Sequence, residues 1–285
     1  MKNFISLADL PDFEETLALA KSLKKDPFAF EQHAKRKTLG LLFFNPSLRT
    51  RLSTQKAAQN LGFNTMIMNF SNEALEFEDG TEMRGIRSEH VREAAAVVSQ
   101  YCDMVAIRAF ASLTDKEQDE AEIVLNSFAQ YASIPVINME SATGHPLQAL
   151  ADAVTLSEHP TTHKPKVVLT WAPHPKALPH AVGNSFAQMM QTQDADFVIT
   201  NPEGYDLDPR IIKNIPVLHN QEEALKNADF VYAKNWCSYE NYGSIVRTDN
   251  AWMLTTEKME LTNNAKFMHC LPVRRNIVVA DGVLD

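Results

Sequence analysis

The sequence predicts an α/β protein with two doubly wound parallel-sheet domains joined by helices and an active site in the inter-domain cleft. Three observations predict this. Short continuous apolar runs, such as residues 38–44 (TLGLLFF), read as strands buried on both faces. They alternate with amphipathic stretches of helical length, the pattern of repeated βαβ units. The length of 285 residues suits about two domains.

The elements follow in order. Residues 12–24 read as a helix, 38–44 as a strand, 48–61 as a helix and 65–69 as a strand. A helix over 88–101 leads to a strand over 103–108, and a long helix over 116–132 to a strand over 135–138. The helix over 146–158 begins with Pro146, a residue suited to a first helical position. A boundary near residue 150 gives domains 1–150 and 151–285. The second half continues with a strand over 166–172, a helix over 180–192 and a strand over 196–200. After the turn PEGYDLDP come a short helix, the Pro216–Leu218 segment, a helix over 221–227 and a strand over 229–233. A long irregular stretch then precedes a last strand over 266–270.

Composition removes several classes of function. Only 9 glycines occur, and no two of them are separated by a single residue. The dinucleotide fingerprint, the phosphate-binding P-loop and the kinase glycine loop are therefore absent. A net charge of −9 argues against sequence-independent nucleic-acid binding, which rests on summed Lys and Arg. It leaves room for a local basic pocket. No run approaches the ~18 apolar residues of a membrane span, and the acidic N-terminal stretch does not read as a signal peptide. Three cysteines, Cys102, Cys237 and Cys270, suit a reducing compartment such as the cytoplasm.

Three motifs carry chemistry. Ser47-Leu48-Arg49-Thr50-Arg51 follows the 38–44 strand. With Ser47 as N-cap, free backbone N–H groups and two guanidinium groups would face an anion without any glycine. The same residues would also suit a capped surface helix with solvated arginines. His145-Pro146-Leu147-Gln148 opens the linking helix, placing His145 and Gln148 about one turn apart on one face. There a neutral His145 would donate to an oxygen; a capping histidine and a solvated glutamine are the alternative. His269-Cys270-Leu271-Pro272-Val273-Arg274-Arg275 ends the last strand, where a basic loop is the plain reading. A zinc site there lacks any C-x-x-C or H-x-x-x-H companion. All three motifs lie at strand ends or at the linking helix, where open α/β sheets bind ligands.

These motifs, with Arg108, resemble the S-x-R-T-R, H-P-x-Q and H-C-L-P motifs of the aspartate and ornithine carbamoyltransferases, in order and spacing along nearly the whole chain. Residues 170–175 (TWAPHP), 232–236 (YAKNW) and 271–276 (LPVRRN) resemble the acylornithine branch, its N-succinylornithine members most closely. Lys234 stands where enzymes for free ornithine carry an acid, and the Ser-Met-Gly segment of those enzymes is missing. A lysine suits a carboxylate and repels an ammonium, so an N-acylated substrate fits.

The resemblance implies a cytoplasmic homotrimer of arginine biosynthesis that moves a carbamoyl group from carbamoyl phosphate to the δ-amine of an N-acylated ornithine. Succinyl is favoured over acetyl, and neither cofactor nor metal is involved. Ser47, Leu48, Arg49, Thr50 and Arg51 would hold the phosphate. Thr50, Arg108 and His145 would donate to the carbamoyl oxygen. Gln148 and the Leu271 carbonyl would accept from its NH₂, with the Leu271–Pro272 bond cis. Cys270 would lie beside the attacking amine, or serve only as a small buried hydrophobe. Lys234 and Arg274 would bind the carboxylate and acyl end, with Glu140, His174 and Asn184 as further polar contacts. Asn184 could equally cap its helix, and His174 could be an ordinary loop histidine.

Leu75 stands where relatives carry a tryptophan in a loop reaching the neighbouring subunit, with Phe77 as a substitute. Ser88 occupies the position that separates acyl groups, proline against glutamate, and brings no charge to repel a succinyl carboxylate. Relatives end in a helix that folds back onto the first domain, and the chain ending at Asp285 lacks it. That implies reduced stability or a shortened chain.

Overall fold

The computed structural model describes residues 2–70, 77–78, 82–83, 89–247 and 249–285, the pair 77–78 by backbone only. Leu75 and Ser88 lie outside the described residues, as does the side chain of Phe77. The chain divides into two compact units, Met1–Ala111 with Glu117–Leu150, and Ser112–Lys116 with Ala151–Asp285. Among the described residues no helix is long and apolar enough to cross a membrane.

The first unit opens with α1 (Phe13–Lys25), capped by the Asp12 carboxylate accepting from Glu15 N at 2.9 Å. Acids in its first turn and Lys24 and Lys25 in its last complement the helix dipole. Next come β1 (Thr38–Phe43), α2 (Arg49–Asn60), β2 (Asn64–Asn69), β3 (Phe77–Glu78) and β4 (Glu89–His90). Then follow α3 (Val91–Tyr101), β5 (Met104–Arg108), α4 (Lys116–Ala121), α5 (Ile123–Tyr131), β6 (Val136–Glu140) and α6 (Pro146–Glu158). The main sheet has the order β2-β1-β5-β6 with all strands parallel. Leu39, Leu41 and Phe43 pack on Ala58 and Met139, while Leu42 joins the opposite core with Val105, Leu125 and Phe128. Helices on both faces bury both sides of β1, so its sequence runs apolar without alternation.

The single helix expected over 116–132 is two. Glu122 takes a left-handed conformation (φ 45°) between α4 and α5. Its carboxylate accepts from the backbone N and Oγ1 of Thr143, each at 2.7 Å. Asn126 Nδ2 donates to Ala121 O at 2.8 Å and closes the broken end. A tertiary bond thus outweighs local helix propensity, and it holds the loop that carries His145.

The second unit adds β7 (Lys166–Trp171), α7 (Ala181–Met190), β8 (Asp196–Thr200), α8 (Pro209–Ile212), β9 (Val217–Leu218) and α9 (Gln221–Leu225). It ends with β10 (Phe230–Lys234), α10 (Thr256–Met259), β11 (Lys266–Met268) and α11 (Asp281–Leu284). The sheet order is β11-β10-β7-β8-β9, again all parallel. The last strand stops at Met268, two residues earlier than expected. His269 instead uses Nδ1 to accept from Leu271 N at 2.8 Å, which turns the chain out of the ladder. The stretch read as irregular contains α10, capped by the Thr255 side chain.

One buried carboxylate aligns three strands. Asp229 accepts from Lys166 N (2.8 Å), Asn263 Nδ2 (2.8 Å) and His163 Nε2 (3.1 Å), while its backbone pairs with Lys166 and Lys266. Burial works against its charge, and these donors outweigh burial, so its pKa lies below the ordinary 3.8. Its stabilising contribution is complete above that value and is lost as pH falls through the lower folded-state pKa. Asp229→Ala is expected to cost about 1.5–3 kcal/mol at pH 7, since it removes hydrogen bonds to a charged acceptor. Urea melts at pH 7 and pH 3 would show a difference that shrinks in acid. A constant difference would refute the charge-based account.

Candidate active site

Each sheet has one switch point, and the chemistry-bearing residues gather at both. In the first unit the chain leaves β1 toward β2 and returns to β5 on its other side, so connections diverge beyond the ends of β1 and β5. That divergence opens a crevice at the strands' carboxyl ends. The Arg49–Arg51 turn follows β1, and Arg108 ends β5. In the second unit the divergence lies between β7 and β10. His174 follows β7, and Lys234 ends β10.

Ser47 is not the helix cap. Leu48 occupies that position without a side-chain bond, and Leu52 N donates to Leu48 O at 3.1 Å as the first helical bond. The chain bends through residues 44–48 before entering α2. The shift leaves the free N–H groups of the first turn on Arg49, Thr50 and Arg51. The two arginines then differ. The Arg51 guanidinium lies 4.2 Å over the Phe43 ring and donates to Asn69 Oδ1, so the ends of β1 and β2 hold it. Arg49 is exposed and has no hydrogen-bond or ion-pair partner among the described residues. Thr50 is half-buried beside it, and Leu48 is exposed.

Arg108 is 7% exposed and organises the rest of this half. It donates to the carbonyls of Asn45 (3.3 Å) and Pro46 (2.9 Å), next to Ser47. Its guanidinium lies 3.9 Å over Phe110 and 3.3 Å from Glu140 Oε2. Glu140 Oε2 also lies 3.6 Å from His145 Nε2. Burial lowers the Arg108 pKa and Glu140 opposes the shift; a guanidinium stays charged regardless. The register explains the approach of Glu140. Ile107 pairs with Asn138 but Arg108 pairs with Glu140, so a bulge at Met139 aims Glu140 at Arg108.

The 141–145 loop is built by Asn138 Nδ2, which donates to Ser141 Oγ (3.0 Å) and Ile5 O (3.0 Å), and by Ser141 N donating to Gly144 O (2.8 Å). His145 then stands directly before α6, its carbonyl accepting from Gln148 N at 3.1 Å. The Glu140 bridge was not legible in the sequence. An acid ending a strand was its only signal.

In the second unit, Lys234 is buried at the end of β10 and donates Nζ to Asn235 O at 3.1 Å. Asn235 Nδ2 reaches Ala172 O (2.7 Å), which ties the ends of β7 and β10 together. Leu271–Pro272 is cis, as the resemblance implies, and Leu271 has φ 57°. Cys270 is half-buried. The adjacent arginines separate: Arg275 pairs with Asp281 (3.0 Å) and Asp285 (2.8 Å), whereas Arg274 Nε donates to His174 Nε2 at 3.0 Å. Asn184 lies buried within the first turn of α7, and His180 holds the cap position, so Asn184 is no helix cap. Beside His174 a small cavity, about one water in volume, is lined by Lys176, Tyr205, Asn235, Cys237 and Arg247. Lys176 and Arg247 were not singled out in the sequence, since neither belongs to a strand end.

Residues 2–158 match the aspartate/ornithine carbamoyltransferase carbamoyl-P binding domain, and residues 180–285 match the Asp/Orn binding domain of the same family. The chain is 50% identical to N-succinylornithine carbamoyltransferase of Bacteroides thetaiotaomicron, covering 100% of this chain and 91% of that protein. It is 36% identical to N-acetylornithine carbamoyltransferase of Xanthomonas campestris pv. campestris, with the same coverage. A solved variant of N-acetyl-L-ornithine transcarbamylase complexed with carbamyl phosphate and N-succinyl-L-norvaline superposes with a TM-score of 0.92 at 36% identity, covering 100% of this chain and 92% of that one. Two parallel α/β units, basic residues at both switch points and these matches place the chain in the aspartate/ornithine carbamoyltransferase family, as an enzyme of the carbamoyltransferase class.

Proposed function

We propose that the protein transfers the carbamoyl group of carbamoyl phosphate to the δ-amine of N-succinyl-L-ornithine, giving N-succinyl-L-citrulline and phosphate in arginine biosynthesis. The observation that carries this is the buried Lys234 together with the Arg274–His174 pair. A free α-ammonium placed there would meet cations, whereas an acylated nitrogen carries no charge. The 50% identity to the N-succinylornithine enzyme supports succinyl as the acyl group. The uncharged Ser88 supports it too, since a serine repels no distal carboxylate.

In this reading residues 1–150 bind carbamoyl phosphate and residues 151–285 bind the amino acid. Ser47, Leu48, Arg49, Thr50 and Arg51 hold the phosphate. Thr50, Arg108 and His145 donate to the carbamoyl oxygen as it becomes an oxyanion. Glu140 anchors Arg108 and His145 through its carboxylate, so neither needs to reorganise during the reaction. Gln148 and the Leu271 carbonyl accept from the carbamoyl NH₂. Lys234, Arg274, His174, Asn184 and Glu140 receive the amino acid, with Cys270 beside the amine. The amine lone pair forms the new C–N bond, the C–O bond breaks, phosphate leaves with the electron pair, and the amine loses a proton. Positioning and charge stabilisation carry the rate, without a covalent enzyme intermediate. The enzyme works as a cytoplasmic homotrimer.

The test is ureido-product formation from carbamoyl phosphate with N-succinyl-, N-acetyl- and free L-ornithine. N-succinylornithine should give the highest kcat/KM, and free ornithine should fall on the order of 10²-fold lower, as like-charge juxtaposition costs several kcal/mol. Faster turnover of free ornithine than of either acyl substrate overturns the proposal.

A further inference from the structure

We propose that His174 is a positioning residue that must be neutral, in its Nδ1–H tautomer, to aim Arg274 at an anionic acyl-amino-acid substrate. The inference rests on the acylornithine reading above and goes further, by assigning a protonation state the site requires. Arg274 Nε carries a hydrogen at every accessible pH, so at 3.0 Å it can only donate, and His174 Nε2 must accept. An imidazole that accepts at one nitrogen is neutral and holds its proton on the other. His174 Nδ1 lies 2.9 Å from the Lys176 carbonyl, which receives that proton. Lys176 N lies 3.1 Å from the same Nδ1. One ring nitrogen cannot both donate and accept, and the guanidinium decides between the two. The tautomer therefore follows from three atoms of fixed character.

This geometry leaves the terminal nitrogens of Arg274 for a carboxylate. A guanidinium binds such a group as a planar fork, and its direction is set by what holds Nε. Protonation of His174 would place an N–H on Nε2 facing the Arg274 N–H, with two like charges about 3 Å apart. The bond would break and Arg274 would lose its aim.

The surroundings favour the neutral ring. Arg274, Lys234 and Lys176 all act on His174 as cations. Arg247 lines the same cavity and pairs with Asp249 at 2.7 Å; Tyr205 and Cys237 are the other titratable groups there. Among the described residues no carboxylate lines that cavity. Partial burial is the largest influence and pulls the His174 pKa below the ordinary histidine value; the bond to Lys176 O, next in size, opposes it, and Arg274, Lys234 and Lys176 each add to the lowering. Binding competence is then complete at neutral pH and is lost as pH falls through that lowered pKa.

The experiment measures Kd for N-succinyl-L-norvaline by calorimetry between pH 5 and 8, with saturating carbamoyl phosphate and circular dichroism at each pH. Norvaline lacks the δ-amine, so the titration of the nucleophile does not enter. The comparison is with His174→Gln, whose amide oxygen can accept from Arg274 and does not titrate. Wild-type affinity should be constant near pH 8 and fall toward tenfold per pH unit once pH drops through the His174 pKa, which lies below the ordinary imidazole value. His174→Gln should lack this acid limb. Any titration of carbamoyl phosphate appears in both proteins and cancels in their ratio. Parallel profiles overturn the proposal. So does wild-type affinity that rises in acid, because that would make imidazolium a direct carboxylate ligand. Nitrogen-15 histidine NMR showing His174 protonated on Nε2 at pH 8 would also overturn it. Absence of wild-type binding at pH 8 would instead remove the acylornithine reading beneath it.

Discussion

Arg108→Met should lower turnover by about 10²–10³, the effect of removing one preorganised donor from a developing oxyanion, and should also destabilise the fold. Both effects come from one side chain. The guanidinium holds the Asn45 and Pro46 carbonyls immediately before the phosphate-binding turn, and it neutralises Glu140. Methionine keeps much of the apolar stem against Phe110 but provides no donors. Of the contacts described above, Glu140 would keep His145 Nε2, 3.6 Å away, and lose its guanidinium partner. Breaking a buried ion pair from one side costs about 3–5 kcal/mol, which a urea melt would register.

The double variant Arg108→Met/Glu140→Gln separates the two roles, because it also removes the stranded charge. Stability should recover by at least half while turnover stays low. Recovery of turnover alongside stability would mean that Arg108 only supports the fold. A single variant that is folded and keeps more than a tenth of wild-type turnover would remove Arg108 from the catalytic set.

Gly243→Ala should destabilise the second unit by more than about 3 kcal/mol, beyond the ~1–2 kcal/mol cost of a left-handed residue alone. Gly243 has φ 74°, and a Cβ there would lie 1.8 Å from Leu113 O and 2.9 Å from Leu113 C. Both atoms are backbone, so relieving the clash means moving the main chain of the 112–116 segment or of the turn at Gly243. Leu113 is itself left-handed, with φ 60°. The segment is further held by the Lys116 ammonium, 3.2 Å from the Tyr239 ring centre. Tyr239 in turn donates to Asp208 at 2.9 Å, and Arg210 pairs with the same carboxylate. That carboxylate is held at a pKa of about 2, chiefly by its bond from Arg210, so this anchor stays charged at neutral pH.

Gly204→Ala is the internal comparison. Gly204 has φ 79° with nothing within 4 Å of a built Cβ, so it tests conformation without a clash. It should cost only about 1–2 kcal/mol. Equal losses at the two positions, read from urea midpoints at constant m, would show that the contact with Leu113 carries no energy.

Element type was legible wherever one local period dominated. The apolar run of β1 and the Pro146 start of α6 both follow from their own residues. Boundaries shifted where a distant partner competed. Glu122 abandons a helix for Thr143, and His269 leaves its strand to bind Leu271 N. Ser47 is a good capping residue by type, yet the bend after β1 hands the cap position to Leu48.

The sequence by itself determined the class of the fold and which side chains could perform the chemistry, because apolar periodicity and donor type are local properties. Only the tertiary structure decided the division of labour within each motif. Arg51 is held by Phe43 and Asn69 while Arg49 is exposed and has no partner among the described residues, and Arg275 turns to Asp281 and Asp285 while Arg274 turns to His174. The tertiary structure also decided that Glu140 serves Arg108 and His145 together. The physical reason is the same in each case. A side chain's free charge is what remains after its neighbours take their share, and those neighbours arrive from strands and loops far away in the chain.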